Sequence, residues 1–501
     1  MSEEQHKAEH RSRPDSPAFR AFVAADWAPR RAGTTESSPV APYAAQRRAA
    51  VSAAFPGERL VVPAGGLKVR SNDCDYVFRP HSAFAHLTGL GADREPDAVL
   101  VLEPVDGGGH EAVLFFRPLA GRDTEEFFGD SRYGEFWVGA RPSLADVEAE
   151  LGLTARHIDE FKDAVAKDAG HIGIRIVRDA DRDLTADLDE VRADVRETDE
   201  ASESAAQAEA DEELARFLSV MRMVKDEWEV EEMRKAVNAT AVGFEAVIAD
   251  LPEAVARGRG ERWVEGVFGL HARHQGNGVG YDSICASGDH ANTLHWIKNT
   301  GDVKEGDLIL LDAGVEVDSL FTADITRTLP VSGEFSEAQR KVYDAVHAAA
   351  DAGMAAVKPG NKFSDVHDAA IRVIAEHLHE WGLLPEGVDV EATLDKETGQ
   401  YHRRWMVHGT SHHLGIDVHD CALALREDYM DAELKPGMIL TVEPGLYFKA
   451  DDLLVPEEMR GIGVRIEDDV LVTEDGHENL SAGMPRSSAE VEAWIARVQQ
   501  R

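Results

Sequence analysis

Beyond residue 50 the chain opens with short apolar runs. RLVVPAG (59–65), AVLVLEPV (98–105), EAVLFFRPL (111–119) and HIGIRIVRD (171–179) are β-rich and bounded by Gly, Pro or charged residues, the pattern of strands. SLADVEAELGL (143–153) lies between two of them and repeats its apolar residues at helical spacing. Strands alternating with helices predict an α/β domain over 46–178. Ahead of it, 1–45 is mostly polar, and its apolar patch FRAFVAADW (19–27) reads as one docking segment in a tail. Positions 179–213 hold fifteen acidic residues against three arginines, so 179–215 reads as a solvated acidic linker. Past it, Met233, Val237, Phe244 and Ile248 fall on one face of a helix. A second domain over 216–485 mixes such helices with paired strand signals, and 486–501 reads as a tail. The fold class is therefore α/β (α+β) in two domains.

Composition narrows function more than fold. Acidic residues number 93 against 53 basic, a net charge of −40. That balance excludes non-specific nucleic-acid binding and docking on anionic lipid, both of which need a cationic footprint. Hydrophobic residues make up 43% of the chain, an ordinary globular share, yet no run approaches a membrane span. Cys74, Cys285 and Cys421 are odd in number and widely spaced, the usage of a reducing compartment. The polar start MSEEQHKAEHRSRPDS lacks the apolar core of a signal peptide. A cytoplasmic protein is expected.

Four segments of the second domain concentrate carboxylates and histidines. In LILLDAGVEVDSLFTADITRTLP, Asp312 follows an apolar strand and Asp324 lies in a second one. A single such Asp serves as a cap or turn residue, whereas two on paired strands can converge on a cation. MVHGTSHHLGIDVHD carries His408, His412, His413 and His419 around a turn. MILTVEPGLY ends a strand in Glu443, and GIGVRIEDDVLVT puts Arg465 and Glu467 on one strand face, where an ion pair would also explain them. Together they supply four carboxylates and an imidazole. Such a donor set favours Mn²⁺ or a similarly hard ion over structural zinc, and four carboxylates exceed the charge of one divalent cation. Two cations suit hydrolysis.

In this order the four motifs resemble the metallopeptidases of the pita-bread fold, and among them the Xaa-Pro aminopeptidases (aminopeptidase P). The likeness spans 215–485 and extends through SNDCDYVFRPHSAFAHLTGL (71–90) to an N-terminal creatinase-like domain. It implies a pita-bread catalytic domain that releases the N-terminal residue of peptides with proline second. It further implies two divalent metals, most simply Mn²⁺, and a homo-oligomer, dimer or tetramer. The metal ligands are then Asp312, Asp324, His412, Glu443 and Glu467, with Asp324 and Glu467 shared by both ions. Glu443, His295 and His419 become catalytic: the first relays a proton, the second lies beside the scissile bond, the third stabilises the tetrahedral intermediate. His408 lines the proline pocket, and Arg465 and Tyr447 support the ligands and substrate. Asp73 of a neighbouring subunit, or the ligand carboxylates, would accept the substrate amine. Prolidase, which cleaves Xaa-Pro dipeptides, shares fold and ligands and is the alternative; a non-catalytic peptide-binding relative would have lost ligands. Two features depart from the family. Eleven residues separate Asp312 from Asp324 where ten are usual, so a bulge near 320–322 is expected. His413 stands where relatives often have a large apolar residue and is expected to alter the pocket wall.

Overall fold

In the computed structural model, which describes residues 16–28, 35–194 and 201–500, the four β-rich runs and a fifth strand that the sequence pattern did not mark form one mixed sheet. Strands β1 (Arg59–Pro63), β2 (Val99–Pro104), β3 (His110–Phe116), β4 (Thr154–His157) and β5 (Ile174–Ile176) lie in the order β4-β3-β2-β1-β5. β2 is antiparallel to both β1 and β3, while β5 and β4 add in parallel at the edges. All five residues of β1 are buried: Leu60–Pro63 are apolar, and the Arg59 guanidinium donates to Glu103 and to the Val165 and Lys167 carbonyls. The helix predicted over 143–153 is present as Leu144–Leu151, started by a capping box between Ser143 and Asp146. This sheet belongs to a unit spanning Met1–Asp211, and the second unit is Glu212–Arg501.

In the second unit, helix α1 (Glu227–Ala256) starts at a capping box of Asp226 and Glu229 and buries Met233, Val237, Phe244 and Ile248, the face its periodicity predicts. Helix α2 (Gly260–Gln275) packs beside it. Strands β6 (Ile284–Ser287), β7 (Leu308–Ala313) and β8 (Ile325–Pro330) form one antiparallel sheet with β7 central. A second sheet joins β9 (Ile439–Val442) to β12 (Asp468–Thr473) and β13 (Gly476–Asn479), and a two-stranded ladder joins β10 (Gly445–Tyr447) to β11 (Gly463–Arg465). Single bridges Thr326↔Glu467 and His413↔Leu440 bring these pieces together. Helices α3 (Glu337–Ala356) and α4 (Phe363–Glu380) cover them: Met354, Phe363 and Val366 share a core cluster with Leu440, Val442 and Val470.

The extra residue between Asp312 and Asp324 sits in the turn, with no register shift in the ladder. Asp312 pairs with Thr326 and Ala313 with Ile325. The same register continues through the Glu316↔Thr322 bridge to Val317, whose N–H donates to Phe321 O at 3.0 Å. Residues 318–320 close the hairpin, and Leu320 takes the left-handed conformation (φ 75°) that ends three-residue loops. Both aspartates therefore leave the same face. Gly314 is needed beside them, because a Cβ there would lie 1.6 Å from Ala323 O.

Three segments expected to be tail or linker carry structure. Within 179–215 the helix Arg182–Asp194 buries Thr185, Leu188 and Arg192. Asp211, fully buried, accepts two hydrogen bonds from Arg192 (2.8 and 3.0 Å) and one from Arg178 (2.9 Å), so the acidic run is anchored by one arginine of its own and one just before it. The expected solvated linker also includes 195–200, which lie outside the described residues. At the C-terminus, Ser488–Gln499 is a helix with a Ser487/Glu490 capping box that buries Val491, Trp494, Ile495 and Val498. In the N-terminal stretch, Pro17–Ala24 is helical, with Phe19 edge-on to Phe128 and Trp27 edge-on to Phe127. That is the predicted docking segment; residues 1–15 and 29–34 lie outside the described residues.

Candidate metal centre and active site

Four of the five proposed ligands lie at strand ends, and the fifth, His412, lies in the loop segment before the His413↔Leu440 bridge. Asp312 lies near the end of β7 and Asp324 just before β8. Glu443 follows β9, and its N–H donates to Thr410 O at 2.9 Å. Glu467 sits between β11 and β12, with its N–H donating to Thr326 O (3.1 Å) and its carboxylate accepting from Thr326 Oγ1 (2.6 Å). His412 is held by its N–H donating to Thr441 Oγ1 (3.1 Å). Its Nε2 is 3.3 Å from Asp324 and 3.9 Å from Glu443. Ligand atoms of Asp324, His412 and Glu467 all lie within 4.8 Å of one another. Asp312 joins them through the Tyr281 hydroxyl, which lies within hydrogen-bonding distance of both Asp312 (2.7 Å) and Asp324 and has one proton for the two carboxylates.

Burial and crowding leave this group short of positive charge. Burial, then the neighbouring carboxylates, push Glu467 far above the usual carboxylate range; burial raises Asp312 despite Arg465. Burial lifts Glu443 to about 8 although His412 and Arg465 oppose it. Burial works against charge on His412, yet Asp324 and Glu443 raise it to about 9. Arg465 meets part of the deficit, donating to Asp312 (2.5 Å), Tyr447 (3.0 Å) and Thr326 (3.2 Å). Four carboxylates gathered around one imidazole are the donor chemistry of hard divalent cations, and these residues fit such ions.

The cluster lines a cavity of about 530 Å³. His295, His408 and His419 border it, together with the apolar Ile284, Leu294, Ile297 and Val418. The His419 ring stands edge-on to His412 at 4.5 Å. His408 Nε2 is 2.7 Å from the Tyr447 hydroxyl, and burial, then Arg465, lower its pKa to about 3, leaving a neutral ring. Asp73 is exposed beside the short strand Cys74–Asp75 of the first unit.

His413 does not alter the cavity wall, contrary to expectation. It is buried among Phe363, stacked at 5.0 Å, and Tyr429, whose hydroxyl accepts from its N–H at 2.7 Å. Adjacent residues on an extended segment face opposite ways, so a neighbour of His412 points into the core.

Sequence reasoning missed several supporting groups. Tyr281 has no motif around it. Thr326 reads as an ordinary strand residue. Asp469, fully buried, accepts from the Asp324 N–H at 3.2 Å, and Asp468 pairs with the buried Arg327 (2.7 Å) and with Arg486 (2.6 Å). Two acidic residues at the head of an apolar strand were the available signal for both.

Residues 231–474 match the model of metallopeptidase family M24, and 44–173 match that of the aminopeptidase P N-terminal domain. The chain is 53% identical to Xaa-Pro aminopeptidase 1 of Streptomyces coelicolor over 91% of its length and 87% of that protein's. It is 32% identical to the Xaa-Pro aminopeptidase of Escherichia coli, over 91% and 98% respectively. The structure of E. coli aminopeptidase P with the inhibitor Pro-Leu superposes with a TM-score of 0.77 at 29% identity, covering 93% of this chain and 100% of that one. Two domain models in the family's order, a relative above half identity and a full-length structural match agree: the chain belongs to the Xaa-Pro aminopeptidases of metallopeptidase family M24.

Proposed function

We propose that the enzyme removes the N-terminal residue from peptides with proline at the second position. Its metals are two divalent cations, Mn²⁺ by preference, held by Asp312, Asp324, His412, Glu443 and Glu467. The observation that carries this reading is the convergence of those five residues on one cavity. Relatives named Xaa-Pro aminopeptidase favour it over the prolidase alternative.

When bound, such a pair lowers the pKa of water and polarises the scissile carbonyl. The chain's own residues do the rest. Glu443 accepts a proton and passes it toward the leaving proline nitrogen. His419, at the cavity edge, donates to the oxyanion, and His295 lies beside the scissile bond. The neutral His408, braced by Tyr447, forms a wall for the proline ring, and Arg465 holds Asp312 in place. Ile284, Leu294, Ile297 and Val418 limit water around the substrate.

The proposal includes a cytoplasmic location: all three cysteines are free, and no helix among the described residues is long and apolar enough to cross a membrane. It also includes a homo-oligomer, dimer or tetramer, measurable by light scattering. The deciding assay uses metal-stripped enzyme reloaded with Mn²⁺, Co²⁺ or Zn²⁺ and given an Xaa-Pro-Yaa tripeptide, an Xaa-Pro dipeptide and a Met-Ala peptide. Selective cleavage of the tripeptide with Mn²⁺ is expected. Preference for the dipeptide would establish prolidase instead.

A further inference from the structure

His295 borders the cavity, yet its exposed ring makes no hydrogen bond to any described residue. Its position is set by its backbone loop, which leaves β6 at Ser287 and ends near Gly301. That loop closes on one carboxylate. Glu261, in the first turn of α2 and fully buried, takes four N–H donors on its two oxygens. Oε1 accepts from the Ser287 N–H (2.9 Å) and lies 2.7 Å from His290 Nδ1; Oε2 accepts from the Trp296 indole (2.9 Å) and the Gly301 N–H (2.5 Å). The Glu261 N–H returns a bond to Gly301 O at 3.2 Å. Both ends of the loop, its middle and the residue after His295 thus meet at a single group. His290 and Trp296 stack at 3.9 Å over it, and a Cβ on Gly301 would come within 2.8 Å of the carboxyl carbon.

We infer that Glu261 is a positioning residue that fixes loop 288–301 and, through it, the placement of His295. The inference rests on the role proposed above for His295. A carboxylate suits the task because it accepts only, and all four facing groups can donate. Glutamine, of the same shape, would turn two donors of its own toward two N–H groups. A ring displaced by about 1 Å can cost roughly 10²-fold in rate.

Two readouts test the clamp and its consequence separately. Hydrogen exchange reads the loop directly: in Glu261→Gln the amides of 289–300 should exchange faster while the β7–β8 hairpin keeps its protection. Unchanged exchange in the loop overturns the clamp. Kinetics read the link to His295: Glu261→Gln should lower kcat by about 10–100-fold at unaltered metal content. In a His295→Ala background it should cost less than about threefold more, because coupled residues are not additive. An equal loss in both backgrounds overturns the link. Trp296→Phe, which keeps a ring on His290 and removes one donor, should give a smaller loss of the same pattern. Wild-type kcat in His295→Ala alone would instead remove His295 from the proposed mechanism and with it the link, leaving the exchange result to decide the clamp.

Discussion

Arg465→Met tests the charge balance of the centre. The guanidinium is 4% exposed and Asp312 is 7% exposed, with 2.5 Å between them. Removing it leaves Asp312 with the Tyr281 hydroxyl as a partner and Tyr447 with His408. Breaking one side of a buried ion pair costs about 3–5 kcal/mol, a figure that already contains the two neutral hydrogen bonds at about 1 kcal/mol each. For a unit of this size, each kcal/mol moves the thermal midpoint by roughly 2–4 °C, so chelator-treated Arg465→Met should melt about 6–20 °C below wild type. Saturating Mn²⁺ should narrow that gap, because a cation held by Asp312 replaces part of the lost positive charge. Arg465→Lys should recover only part of the deficit, since an ammonium restores charge without the planar fork that meets Asp312, Tyr447 and Thr326 together. The measurement is calorimetry on both variants with and without metal, alongside metal content. A metal-free Arg465→Met that melts within about 3 °C of wild type would refute the reasoning, and so would a gap that Mn²⁺ leaves unchanged.

His419→Ala should lower kcat by roughly 10²–10³ with metal content and melting temperature intact; loss of metal or stability at unchanged kcat would make His419 structural. Asp469→Ala strands the buried Asp324 N–H, costing about 1–3 kcal/mol, and should weaken metal binding by about 10–100-fold in a chelator titration, with full affinity as the refuting result. Asp211→Ala removes the buried one of two carboxylates that Arg192 and Arg178 share, leaving them Asp189, and should cost about 2–3 kcal/mol in a denaturant titration; a change under about 1 kcal/mol would mean that the acidic segment behaves as solvated chain. In metal-free enzyme Glu443 (about 8) and His412 (about 9) both titrate above their ordinary ranges, so the folded state holds more protons than the unfolded one. Their stabilisation is fully present below about pH 4 and 6 respectively and is lost as pH rises through 8 and 9, so the melting temperature should fall from pH 5 to 9. Metal-loaded enzyme should resist that fall because cations favour the deprotonated ligands, and identical profiles with and without metal would refute the linkage.

Much of the centre is legible because charge in an apolar strand is costly. Asp312, Glu443 and Glu467 each interrupt or end such a run, and their order along the chain is already specific. Glu261 gives no such signal. It occupies the first turn of a helix, where acidic residues are favoured by the helix dipole whatever else they do, and its four donors come from residues 26 to 40 positions away. Composition misleads in the opposite direction at 179–215. An average over fifteen acidic residues describes a solvated run, but it hides that Asp211 meets two arginines and disappears from solvent. At the C-terminus the periodic residues Val491, Trp494, Ile495 and Val498 and the Ser487/Glu490 box were readable as a helix; lying at the end of the chain did not make the segment a tail.

The spacing of the two aspartates shows how a sequence departure can be real and leave the chemistry unchanged. Side chains alternate along a strand, so one residue inserted within a paired ladder would turn everything beyond it to the other face. Inserted in the connecting turn, the same residue shifts the numbering of the second strand and the pairing register together, and the two shifts cancel. That is the case here. Asp312 opposes Thr326, Asp324 lies two residues before Thr326, and residues two apart on a strand share a face. The cost falls on Leu320, which adopts a positive φ that a β-carbon disfavours and glycine would accept. Leu320 is fully buried beside Phe321, so apolar packing holds there the side chain that the backbone alone would exclude. What the metal centre requires of this hairpin is therefore its register, and the turn is free to vary in length as long as its end can be closed.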